Sequence, residues 1–131
     1  MGHGHAGAQW LREQGYGELA RAVAGHPVTR LADDREYAEW MTRATPEIRL
    51  VAYADKRATD RLLSLRARLD DMERRHPEHA AALRRARPRA ERLERAVCDA
   101  AGVQPEQVAR LPWAGEALGL PPDRQPDGAA A

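Results

Sequence analysis

Apolar residues recur along most of the chain at steps of three and four, the period of a helix with one buried face. The clearest run takes Ile48, Val51, Asp55, Ala58, Leu62, Leu65, Leu69 and Met72. A second takes Leu83, Ala86, Ala90, Leu93, Val97 and Ala100. Thr45-Pro46-Glu47 opens the first run. Threonine supplies an N-cap oxygen, proline suits the first helical position, and glutamate suits the positive end of the helix dipole. The pattern predicts one helix from there to about residue 75, stopping before Pro77. The second predicted helix covers roughly 78–101 and stops at Gly102, with Pro88 expected to kink or break it. Two amphipathic helices joined at Pro77 read as a long antiparallel hairpin.

The N-terminal half predicts shorter helices. One covers about residues 4–14 and stops at Gly15; a second covers about 17–25 and is ended by His26-Pro27, because the residue before a proline disfavours the helical region. Residues 28–34 read as a loop, 35–43 as a short helix carrying Tyr37 and Trp40, and 105–111 as a short final piece. Residues 119–131 hold prolines and glycines without a period, which predicts a disordered tail. The fold class is therefore all-α. Its parts are a unit over 1–57, the hairpin with its C-terminal helices over 46–113, and the tail.

Composition narrows the function classes. A chain of 131 residues is one domain's worth, and 43% hydrophobic with 31% charged residues suits a folded core. Lys plus Arg is 21 against 20 for Asp plus Glu, a net charge of +1, which disfavours nucleic acid as a general partner. Lys56 is the only lysine, and there is no phenylalanine. With no dense run of Val, Ile or Thr, the sequence disfavours a β-sandwich or barrel. Cys98 stands alone, so it forms neither an internal disulfide nor a paired-cysteine zinc site, and a packed thiol in a reducing compartment suits it. No apolar stretch approaches the ~18 residues of a membrane span, and the N-terminus lacks a secretion-signal pattern. The expected setting is cytoplasmic, with no membrane.

Three polar residues interrupt apolar faces. Asp55 occupies a seam position, where a carboxylate is costly without a cation, a metal or several donors. His26 ends the face formed by Leu19, Ala22 and Val23, and His3 shares a face with Gly7 and Trp10 or Leu11. Gly7 and Ala8 are small enough for another backbone to approach closely. Each residue has a bland reading as well: a paired Asp, a C-terminal cap, a frayed end. Converging, two imidazoles and a carboxylate bind a divalent transition metal with positions left for water and substrate.

On these residues the chain resembles the HD superfamily of metal-dependent phosphohydrolases. His3, Gly7, Ala8 and Leu11 match its H-x-x-x-G-A-x-x-L segment; Ala22-Val23-Ala24-Gly25-His26 is similar to the segment whose helix ends in histidine. Leu50-Val51-Ala52-Tyr53-Ala54-Asp55-Lys56-Arg57 is similar to its late Ala-Asp-Lys segment. The resemblance covers residues 3–57 and implies an all-helical, HD-like bundle. It implies His3, His26 and Asp55 as metal ligands, with His5 a further candidate, and Lys56 and Arg57 as phosphate-binding residues. The implied cofactor is a divalent metal ion (Mn, Fe, Co, Ni, Zn or Mg). The implied reaction is attack of a metal-activated water on a phosphoester of a phosphorylated small molecule or nucleotide, with no catalytic side chain assigned.

The family's upstream histidine and its His-Asp pair are absent from this chain, so the bundle is expected to be incomplete at its N-terminus. Three expectations follow: a longer true protein, a natural truncation, or a second chain that completes the domain. Metal ligands from this chain alone make half of a two-metal set, and an apolar face is expected to lie uncovered. The alternative function is a helical protein-interaction module without catalysis, in which Asp55 sets the register of a seam.

Overall fold

The computed structural model describes residues 3–24, 29–59 and 61–111, without the side chains of His3 and Thr29. The tail expected over 119–131 lies outside the described residues, as do His26 and residues 112–113. The chain is all-α. Helices α1 (His3–Glu13) and α2 (Gly17–Ala24) are followed by α3 (Thr29–Ala32), α4 (Asp34–Arg43), α5 (Pro46–Asp55), α6 (Leu65–Arg75) and α7 (Ala80–Ala101). Short 3₁₀ segments cover Pro77–His79 and Pro105–Arg110.

Local chemistry sets most of the boundaries. The Thr45 hydroxyl accepts from the Ile48 amide at 3.3 Å, with Pro46 in the first turn behind it. Asp33 caps α4 through the Glu36 amide at 2.8 Å, and Ser64 caps α6 through the Ala67 amide at 3.1 Å. Helix α1 ends where Gly15 turns to φ 87°, which lets the Tyr16 amide reach the Leu11 carbonyl at 2.8 Å. Gly102 ends α7 the same way at φ 69°.

Three expectations are corrected. The single helix over 46–75 is two, α5 and α6, separated by a turn over 56–64. The apolar period runs on through 58 and 62, but the backbone does not: Ala58 and Leu62 pair as an isolated antiparallel bridge. The Leu63 amide donates to the Arg57 carbonyl at 2.8 Å, and the Thr59 side chain bonds the Arg61 backbone, a polar competitor to helical bonding. The loop expected at 28–34 contains α3. Its last carbonyls, on Leu31 and Ala32, accept from Arg89 Nη1 at 3.0 Å and Arg85 Nε at 3.4 Å, and both residues are buried against α7. Pro88 does not break α7, which runs through it as one helix.

Helix α7 is the central element and packs on α3, α5 and α6. Leu83, Ala86, Ala90 and Leu93 meet Leu65 and Leu69 of α6, Leu31 of α3, Trp40 of α4 and Ala52 and Tyr53 of α5 in one core. The α7 seam rotates in its last turn: Ala100 is exposed and Cys98 is buried instead. Arginines on α7 reach acids on other elements, Arg84 to Glu73 at 3.1 Å, Arg87 to Asp70 at 2.7 Å, and Arg89 to Asp34.

Helices α1 and α2 form a second, thinner layer, joined to the core where α2 lies on α5. Its buried side chains are Ala8, Ala20 and Ala22. A Cβ added at Gly7 would stand 3.3 Å from Val23 Cγ1, so the small residues do set a close approach of α1 to α2. Of the face expected over Leu19, Ala22 and Val23, Ala22 is buried and Val23 half-buried, whereas Leu19 is 54% exposed.

Candidate functional site

The helices that begin at His3, precede His26 in the sequence and end at Asp55 are stacked in order, α1 on α2 and α2 on α5. His3 is the first residue of α1, and His5 is exposed one half-turn later. Asp55 is the last residue of α5 and is half-buried. A carboxylate there faces the negative end of its own helix dipole, an unfavourable place that local propensity does not explain. Among the described residues, no three His, Cys, Asp or Glu side chains gather to hold a metal. Of the four candidate ligands, only His5 and Asp55 have described side chains, and these two stand on the outer helix and the core helix respectively.

Lys56 and Arg57 follow Asp55 in the turn that leaves α5, and both are buried, at 2% and 3% exposure. Lys56 Nζ donates to the Ala52 carbonyl at 3.0 Å. Burial pulls its pKa from 10.5 down to about 8, opposed by the negative charge of Asp55. Contact with a substrate phosphate requires this buried ammonium to become accessible.

Arg57 is committed to the interior. Its Nη1 donates to Tyr53 Oη at 2.6 Å, to the Pro105 carbonyl at 3.1 Å and to Glu94 Oε2 at 3.4 Å, and its Nε bonds the Leu63 carbonyl. Tyr53 Oη donates to Glu94 Oε2 at 2.7 Å, and the Cys98 thiol donates to Tyr53 Oη at 3.6 Å. The network fastens α5, the 56–64 turn, α7 and the C-terminal 3₁₀ segment to one another. Burial and the bond to Glu94 push the Tyr53 phenol well above its ordinary range, so it stays neutral.

Tyr53, Glu94 and Cys98 were not legible as site residues. Tyr53 and Arg57 stand four apart, a spacing that brings side chains together at a helix end, and that was the available signal. Glu94 lies 41 residues from Tyr53, and nothing local marks it as a partner. No helix among the described residues is long and apolar enough to cross a membrane. No family model matches the chain, and no curated protein or solved structure matches it.

Proposed function

We propose that the chain is part of a metal-dependent phosphohydrolase domain of the HD type, with His3, His26 and Asp55 as its share of the ligands. The observation that supports this reading most is the consecutive stacking of α1, α2 and α5. These are the helices that begin at His3, precede His26 and end at Asp55. The donor chemistry fits: two imidazoles with one carboxylate suit a divalent transition metal. Bound there, such an ion supplies Lewis acidity for hydrolysis of a phosphoester. Asp55 contributes charge, and the buried Lys56 beside it tempers that charge. The remaining ligands come from a further helical segment or a second chain. Trp10, Tyr16 and Leu19 support that arrangement, because they leave apolar surface exposed on the α1–α2 layer.

The test is metal content after loading with Mn²⁺ or Fe²⁺ and desalting, for the chain and for Asp55→Ala. The expected result is metal retained by the chain and lost in the variant. Equal metal content in the two sinks the assignment. The exposed apolar side chains also favour the second reading, a helical interaction module without catalysis. That reading expects chelator to leave melting temperature and oligomeric state unchanged.

A further inference from the structure

A pocket of about 220 Å³ opens where the ends of α1, α2, α3 and α4 meet the start of α5. Four arginines line it: Arg12, Arg21, Arg30 and Arg43. Glu39 is the one acid in its wall, and that carboxylate already accepts from Arg35 Nε at 3.1 Å. The wall therefore carries a formal excess of three positive charges. Trp40 also lines it and holds a buried indole N–H with no partner among the described residues.

What these four share is one pocket wall in which none of them is paired with an acid among the described residues. Arg57, Arg66, Arg74, Arg75, Arg84, Arg87 and Arg89 each have a carboxylate within 4.0 Å. Arg12, Arg21, Arg30 and Arg43 have none among the described residues, although the chain carries 20 acids for its 21 basic residues. Like charges gathered without a counter-charge are unfavourable, and a bound anion relieves that cost. Guanidinium forks match phosphate oxygens in pairs.

We propose that this pocket binds a small, multiply charged phosphate anion through Arg12, Arg21, Arg30 and Arg43. Its volume lies below the ~300 Å³ at which drug-sized sites begin, which suits a diphosphate group better than a whole nucleotide. It lies toward the opposite end of α5 from Asp55: Ile48 in its wall precedes Asp55 by seven residues, roughly 10 Å along the helix. The proposal stands without the phosphohydrolase reading.

The probe is inorganic pyrophosphate, titrated calorimetrically at low salt in buffer with chelator, so that no metal takes part. The four side chains belong to exposed or half-exposed residues, and glutamine in their place leaves the core intact. Arg21→Gln and Arg43→Gln are each expected to weaken binding about tenfold or more, with Arg66→Gln on α6 unchanged. Absence of binding overturns the proposal, as does equal weakening by Arg66→Gln, which marks diffuse charge attraction. The four arginines also occupy the last turns of their helices, where they offset helix dipoles. If that is their whole role, the variants lose a little stability and bind pyrophosphate as the parent does, and this too overturns it.

Discussion

Lys56 is the residue whose charge the fold tolerates least. At 2% exposure its ammonium has the Ala52 carbonyl and the neighbouring Asp55 charge in place of water. Its pKa is lowered to about 8 in the folded chain from 10.5 in the unfolded one. Below pH 8 both states hold the proton, and the folded state carries the full cost of the buried charge. Between those values the unfolded chain binds more protons, so stability rises with pH. The expected gain is about 2 kcal/mol from pH 8 to about pH 9.5. Above pH 10 the effect is opposed, because the raised pKa of Tyr53 keeps it neutral while unfolded tyrosines ionise. Urea denaturation of the chain and of Lys56→Met checks this. The variant is expected to be more stable at pH 7 and flat over the same range; a parallel rise in both would remove Lys56 as the cause. The sequence marked Asp55 and Lys56 through a misplaced charge and a unique residue type. It could not mark Glu94, because a buried ion pair between distant helices has no local pattern.

At the scale of elements, end chemistry was legible and interruption was not. Thr45-Pro46, Gly15 and Gly102 each carry a physical requirement in one or two residues, and each boundary follows. The break at 56–64 hides because Ala58, Leu62 and Leu65 keep the helical period across a turn that is not helical. Ser64 was the one local clue, as an N-cap in mid-run. Helix α3 hides for the opposite reason: four residues have little helical tendency alone, and arginines of α7 hold its carbonyls. Pro88 shows packing prevailing over propensity. It offers no N–H to the Arg84 carbonyl, a defect of about 3 kcal/mol or more in a helix interior. Leu83, Ala86, Ala90 and Leu93, buried on either side, keep α7 one continuous helix nonetheless. Pro88 is exposed, so Pro88→Ala restores the bond without touching the core. The expected outcome is a stabilisation of about 1–3 kcal/mol in urea melts, with helical ellipticity unchanged or higher. A destabilised variant would mean that the backbone geometry proline imposes at 88 is needed for α7 to meet α3 and α6 together.

At the scale of the molecule, the two layers differ in what holds them. The α3–α7 core buries leucines, Trp40 and Tyr53, whereas the α1–α2 layer buries alanines and leaves Trp10, Tyr16 and Leu19 exposed. Apolar stabilisation scales with the area removed from water, so the outer layer is the weaker unit and opens first. Hydrogen exchange in the metal-free chain is expected to be faster in α1 and α2 than in α7. This gradient gives the metal proposal a readout apart from catalysis. His3 opens α1 in the weak layer, His26 follows α2 by two residues in the sequence, and Asp55 ends α5 in the strong layer. A cation held by all three ties the layers together and stabilises only the closed form, by an amount that grows with its concentration over the dissociation constant. Mn²⁺ is therefore expected to slow exchange in α1 and α2, to leave α6 and α7 unchanged, and to lose both effects in Asp55→Ala. Slowing confined to α6 and α7 would mean that the cation binds away from Asp55 and would overturn the assignment. Slowing of α1 alone would leave Asp55 without a metal role and transfer it to the histidines at the start of the chain.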